Sequence, residues 1–169
     1  MPTPTAEPTS TPEPTPVLKT ETLEDGSIRE TYYGPDGRPT VGEEGFVTRI
    51  QEVNKNKVVA ENWYDEEGNP MTVGDDTYVR MEYTYDSQGN INRIKYYGAD
   101  GKPIRCKDGY AIVYREFDGL NRLVYEKYFD TDGFAIALED GTVAYRYEYD
   151  NNGNLIRTTR HDYGDREIE

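Results

Sequence analysis

Residues 78–103 read YVRMEYTYDSQGNINRIKYYGADGKP, and the punctuation of this stretch decides the fold. Two runs rich in Tyr, Val, Ile and Thr, Tyr78–Tyr85 and Ile91–Tyr97, flank Asp86-Ser87-Gln88-Gly89. Their length and their β-branched and aromatic content suit strands rather than helices. Asp first and Gly last describe a type I turn closed by a glycine at positive φ, the connection of a bulged hairpin. The second run ends in the pair Tyr96-Tyr97. A further turn signal follows at Ala99-Asp100-Gly101, with Pro103 two residues on. Proline has no backbone donor, so the segment after this turn reads as loop or edge, not as a central strand.

The phrase recurs with a period of about 32 residues. Its aromatic pair and turn glycine appear as Tyr32-Tyr33 to Gly37, Trp63-Tyr64 to Gly68, Tyr96-Tyr97 to Gly101 and Tyr128-Phe129 to Gly133. Further first runs are Phe46–Val53, Tyr110–Phe117 and Thr142–Tyr149. Further second runs are Ile28–Tyr33, Val58–Tyr64, Leu123–Phe129 and Leu155–His161. Gly89 and Gly153 close the short turns of two copies, and Asn121 and Asn56 take that place in the others, asparagine being the next-best residue for a left-handed backbone. A fixed period marks an architecture in which each unit buries its apolar face against its neighbours. The expected fold is all-β: an elongated antiparallel β-hairpin repeat array, a meander or solenoid. Its units lie at about 22–52, 53–84, 85–116 and 117–148, with a partial hairpin as cap over 149–169. Nothing marks a closing strand, so an open array is expected rather than a barrel.

The first 20 residues differ. MPTPTAEPTSTPEPTPVLKT holds six of the ten prolines, and reads as an extended, polyproline-like spacer. Thr/Pro-rich stalks of this kind often join an anchor to an exported domain. No signal-peptide pattern follows Met1. The domain proper is expected over 21–169. The mean hydropathy of the whole chain is −0.94, yet sixteen Tyr, four Phe and one Trp supply large apolar bodies for a core. A formal charge of −14 argues against nucleic acid and against an anionic membrane surface as partners. No apolar run is long enough to insert into a membrane.

The period of two along a strand sorts residues onto faces. On the first strand of each unit, Val47, Val79, Ala111 and Val143 share a mostly apolar face with Arg49, Met81, Val113 and Tyr145 and with Val53, Tyr85, Phe117 and Tyr149. That face is the candidate core. On the second strand the two members of each aromatic pair point opposite ways. In a single-layer sheet both columns cannot be buried, so one is core and the other a half-exposed stripe. Tyr32, Trp63, Tyr96 and Tyr128 are the candidate ligand-binding stripe, with Tyr33, Tyr64, Tyr97 and Phe129 on the other side. Flat rings at fixed spacing, flanked by Asp, Asn and Glu, can stack on sugar rings and bond their hydroxyls.

The inventory offers little for catalysis. Serine occurs at Ser10, Ser27 and Ser87, histidine once at His161 and cysteine once at Cys106. A nucleophile–base pair would depend on His161 near the chain end, and no zinc set, phosphate loop or dinucleotide fingerprint is present. The single histidine and cysteine read as a surface residue and a packed or half-exposed one. Asp130-Thr131-Asp132-Gly133 is similar to the middle of an EF-type calcium loop, but Tyr128 falls where the first ligand belongs, and turn chemistry accounts for every copy. No cofactor, metal or catalytic residue is expected.

The phrase Tyr85-Asp86 to Asn90, repeated at Tyr149-Asp150 to Asn154, resembles the Tyr-Asp repeats of bacterial exported proteins of the Rhs/YD class. Tyr96 to Pro103 resembles the tyrosine- and glycine-rich repeats of Gram-positive surface proteins, including wall- and glycan-binding hairpin solenoids. The resemblance covers about residues 22–162 and implies a non-enzymatic, extracellular module of a bacterial surface or secreted protein. Its partner would be a glycan or cell-wall polymer, or it would serve as a spacer. A protein-interaction scaffold using a sheet edge is the alternative, and a carbohydrate-active enzyme built on paired carboxylates the lesser one.

Overall fold

The computed structural model describes residues 14–169. Eleven strands follow one another: β1 (Val17–Thr22), β2 (Ile28–Tyr33), β3 (Thr48–Asn54), β4 (Lys57–Tyr64), β5 (Arg80–Tyr85), β6 (Ile91–Tyr97), β7 (Ile112–Phe117), β8 (Leu123–Phe129), β9 (Ala144–Tyr149), β10 (Leu155–His161) and β11 (Glu167–Ile168). They form one open antiparallel sheet whose spatial order is the chain order. There is no helix among the described residues.

The Thr/Pro-rich spacer expected over residues 1–20 lies, as far as residue 13, outside the described residues. Its last four residues belong instead to β1, which pairs with β2 from Val17↔Tyr33 to Thr22↔Ile28. Pro16 is the last proline of the tract, so every residue of β1 has an N–H to give to a ladder. At the other end β11, only two residues long, pairs with Arg160 and His161 and closes the C-terminal edge.

The turns obey one carboxylate rule. In Asp65–Asn69, Asp86–Asn90, Asp118–Arg122, Asp130–Phe134, Asp150–Asn154 and Asp162–Arg166, the leading Asp accepts from the backbone N–H groups two and four residues on. Where glycine leads instead, at Gly34 and Gly98, a carboxylate two residues later (Asp36, Asp100) accepts from the N–H of Arg38 or Lys102. Its Oδ1 lies 3.1 and 3.3 Å from where the missing Cβ would stand. The turn glycines Gly37, Gly68, Gly89, Gly101, Gly133 and Gly153 all have positive φ, as does Asn121. Lys55 and Asn56 are both left-handed (φ 49° and 61°), which makes the shortest connection a two-residue type I′ turn.

Each of the four long hairpins carries a β-bulge in its second strand just past the turn. Glu52 faces Ala60 but Val53 faces Val58, leaving Val59 extra. Asn92, Val124 and Ile156 are skipped in the same way. A bulge raises the local right-handed twist, so the sheet twists at one recurring place per hairpin.

The connections between hairpins supply the second layer. After β2, a tight turn brings Pro39 opposite Tyr33, and Thr40 donates to the carbonyl of Tyr32 at 3.0 Å. Tyr64↔Pro70, Tyr97↔Pro103 and Phe129↔Ala135 repeat the bridge. A second turn, Gly42 to Phe46, Cys106 to Tyr110 or Leu138 to Thr142, then returns the chain to the sheet. The returning segments lie on one face and bury it. Phe46, Val47, Val79, Ala111, Val143 and Cys106 are buried there with Val113 and the four aromatic residues Tyr32, Trp63, Tyr96 and Tyr128.

Candidate functional site

The stripe Tyr32, Trp63, Tyr96 and Tyr128 is therefore core, not surface: these residues are 4, 4, 8 and 5% exposed. The expectation that a single-layer sheet leaves this column free fails because the connections form a second layer over it. Its rings instead make a ladder through the protein. Trp63 meets Tyr78 at 5.7 Å, Tyr78 meets Tyr96 at 4.8 Å, Tyr96 meets Tyr110 at 5.8 Å and Tyr110 meets Tyr128 at 4.7 Å. Tilted and edge-on pairs of this kind each add about 0.5–1.5 kcal/mol beyond their area burial. Burial pushes the hydroxyls of Tyr78 and Tyr96 up to about 12 and those of Tyr83, Tyr110 and Tyr128 higher still.

Charged residues within this covered layer are paired. Arg49, in the row of Trp63, bonds Glu30 at 2.5 Å and stands 5.1 Å over the Phe46 ring. Glu61 accepts from Gln51 and from the Tyr83 hydroxyl. Glu126 accepts from the Tyr128 hydroxyl and holds Arg115 at 2.6 Å. These carboxylates are committed to structural partners. Asp130, in the segment similar to a calcium loop, spends Oδ1 on the amides of Asp132 and Phe134. His161 is not a surface residue: it is 8% exposed, with Nε2 2.8 Å from the Thr159 hydroxyl and Nδ1 3.2 Å from the Asp165 carbonyl. The last turn folds back on it. Cys106 is buried, and its burial raises the thiol above its ordinary value.

The opposite face carries the second aromatic column, and there Tyr33, Tyr64, Tyr97 and Phe129 remain half-exposed. The register staggers this column. Tyr64 faces Thr48, and Thr48 faces Thr31, so Tyr33 lies two residues beyond the row of Tyr64. Arg80 sets Tyr97 in the row of Asn62, and Ile112 sets Phe129 in the row of Lys95. Each ring is thus two strands across and two residues along from the next, on the order of 12 Å. Buried Ala60, Ile112 and Ala144 floor the spaces between larger side chains.

Shallow grooves run between the rings. One of about 480 Å³ is lined by Tyr33, Pro39, Tyr64, Ile50 and Arg29. Another, of about 460 Å³, is lined by Tyr114, Phe129, Arg93, Thr84 and Asn92. A third, of about 310 Å³, holds Arg80, Glu52, Glu82 and Lys95. Tyr97 donates to Glu82 at 2.7 Å, which fixes the ring beside Arg80, itself paired with Glu52 and Glu82. Burial, and then the Glu82 carboxylate, raise the Tyr97 hydroxyl. Lys19 stands 4.6 Å over the Tyr33 ring, and Arg146 4.9 Å over Tyr125. Tyr114, Arg93, Lys95 and Lys127 carry no sequence pattern of a site. Their juxtaposition depends on register across three strands, which single-strand periodicity does not carry.

No protein-family model and no curated protein matches the chain. No helix among the described residues is long and apolar enough to cross a membrane.

Proposed function

We propose that the chain is a non-catalytic β-hairpin repeat module of an exported bacterial protein, and that it binds a glycan or cell-wall polymer along its open face. One observation carries this reading: the half-exposed column Tyr33, Tyr64, Tyr97 and Phe129 recurs once per hairpin on the face away from the connections. Rings on the order of 12 Å apart let one extended chain of several sugars cross three or four of them. Polar side chains stand beside the rings as candidate partners for sugar hydroxyls, Glu82 and Arg80 beside Tyr97 among them. The sites are shallow, which suits low-affinity contacts summed along a polymer. The Tyr-Asp phrases and the Thr/Pro-rich start support an extracellular setting.

Binding of the full chain to a panel of insoluble and soluble polysaccharides tests the proposal. Retention lost in Tyr64→Ala and Tyr97→Ala supports it. Retention of nothing on the panel, or retention indifferent to both substitutions, rejects it.

A second reading has its own observation. All six residues of β1 are exposed, and its outer edge has no strand partner among the described residues. An extended peptide adding to that edge would make the module a protein-interaction scaffold.

A further inference from the structure

The open face is not electrically neutral ground. Arg93 on β6, Lys95 two residues along it and Lys127 on β8 all point to this face, and all three are half-buried. Arg93 faces Tyr114 across β6 and β7, and Tyr114 faces Lys127 across β7 and β8. Lys95 faces Ile112, which faces Phe129. The three cations therefore surround an aromatic floor of Tyr114 and Phe129, with Lys127 Nζ 5.8 Å from the Phe129 ring centre. Arg93 and Lys127 share a row two strands apart, and Lys95 lies two residues along from it, so the three positions fall within roughly 12 Å of one another.

These three cations lie together and have no ion-pair partner among the described residues; Lys19 on β1 and Lys57 on β4 also lack one but lie apart from them. The chain carries 33 acidic residues against 19 basic ones. Other strand arginines are spent on carboxylates: Arg29 on Glu21, Arg49 on Glu30, Arg80 on Glu52 and Glu82, Arg115 on Glu126. Arg93, Lys95 and Lys127 have no carboxylate within 4 Å among the described residues. Glu82, opposite Lys95, is held by Arg80 and by the Tyr97 hydroxyl. Glu116, two residues beyond Tyr114 on β7, is the other acid near this floor. Half-burying a cation with no counter-charge is unfavourable, and three neighbours of one sign add mutual repulsion. A ligand anion would relieve both.

Resting on the proposal of a polymer-binding face, we infer that this patch recognises an anionic sugar polymer, one carrying carboxylate or phosphate groups. A sugar ring stacks on Tyr114 or Phe129 while its acidic groups reach Arg93, Lys95 and Lys127. The chain's overall charge of −14 opposes the approach of a polyanion from a distance. At physiological salt that field is screened within about 8 Å, and contact is decided by the local cations.

Affinity electrophoresis of the full chain tests this with alginate as the carboxylate polymer, a phosphomannan as the phosphate polymer and a neutral β-glucan. Retardation by one or both anionic polymers, weakening as salt is added, is expected. Arg93→Gln, Lys95→Gln and Lys127→Gln should each weaken it roughly five-fold, the cost of about 1 kcal/mol per contact. Lys55→Gln, in an exposed turn, should leave it unchanged. Which anionic polymer retards the chain identifies the source of the charge. Retardation indifferent to the three substitutions overturns the inference. Retention by the neutral glucan alone also overturns it while leaving the polymer-binding face intact, and no retention by any polymer removes both.

Discussion

Gly42 lies flat against the ring of Tyr32: a Cβ added to it would stand 2.2 Å from Tyr32 Cγ. The contact pins the first connection to the sheet, so this glycine is required for closeness and not for a special φ. Gly42→Ala should therefore lower stability by about 2–3 kcal/mol, the upper range for overpacking. Gly37→Ala, in open space but at φ 77°, should cost about 1 kcal/mol. Urea midpoints of the two variants give the comparison. Equal losses would mean that the connection does not close on Tyr32.

Thr142 occupies the place that Phe46, Tyr78 and Tyr110 hold in the earlier hairpins. It is fully buried, and its hydroxyl has no hydrogen-bond partner. Replacing a buried orphan hydroxyl by a methyl of similar shape removes a desolvation penalty. Thr142→Val should raise stability by about 1 kcal/mol in the same denaturation assay. A loss of that size would show that the hydroxyl is satisfied in solution.

The turn carboxylates make stability depend on acid. Backbone and side-chain bonds from Asn69 hold Asp65 below its ordinary value, the Asn154 side chain and amide do so for Asp150, and Arg122 and Arg166 do so for Asp118 and Asp162. A lowered folded value means that folding favours the charged form. The contribution is complete above the unfolded value of 3.8 and is lost as pH falls through the folded values. The urea midpoint should stay level from about pH 7 to 5 and fall steeply below about pH 4. Asp150→Asn should lower the plateau slightly and flatten the descent.

The buried tyrosines set the alkaline limit by the opposite sign. Tyr78 and Tyr96 titrate near 10.0 when unfolded and at about 12 when folded, so folding favours the neutral form. That contribution is whole below pH 10 and is lost as pH rises through about 12. Tyrosinate absorbance should rise in two stages, the second coinciding with loss of the β signal in circular dichroism. A single rise near pH 10 with the fold intact would place these rings in water.

The strands and their turns were legible because period-two patterns and Asp/Gly punctuation are local. Ile91–Tyr97 and Leu123–Phe129 match their runs end to end, and Asn56 and Asn121 adopt the left-handed backbone their positions require. The first strands begin two residues later than read, although Val47, Val79, Ala111 and Val143 already make backbone hydrogen bonds to the neighbouring strands. The burial of Tyr32 over Tyr33 was not legible. Both are tyrosines at adjacent positions, and the choice is made by where a connection of about ten residues folds. That depends on Gly42 meeting a ring and on Pro39 bridging Tyr33, contacts with no signature in either residue alone.

Tyr96 and Tyr97 are consecutive and chemically identical, and should fail in different ways when truncated. Tyr96 is 8% exposed and packs between Tyr78 and Tyr110. Tyr96→Ala should lose about 3–5 kcal/mol, as for a large core aromatic, and break the ladder at its middle. Tyr97 is half-exposed and is tied at its hydroxyl to Glu82. Tyr97→Ala should cost about 1–2 kcal/mol, mostly the lost hydrogen bond and partial burial, while weakening polymer retention at least five-fold if each ring contributes about 1 kcal/mol. Tyr97→Phe separates the two contributions: the ring is kept for stacking and only the bond to Glu82 is lost, so retention should fall less than in Tyr97→Ala. The pair of measurements, chemical denaturation and polymer retention on the same three variants, decides which side of the sheet faces a ligand. Should Tyr96→Ala stay folded and lose retention while Tyr97→Ala keeps it, the binding face is the one the connections cover, and the open face is only the outer skin of the sheet.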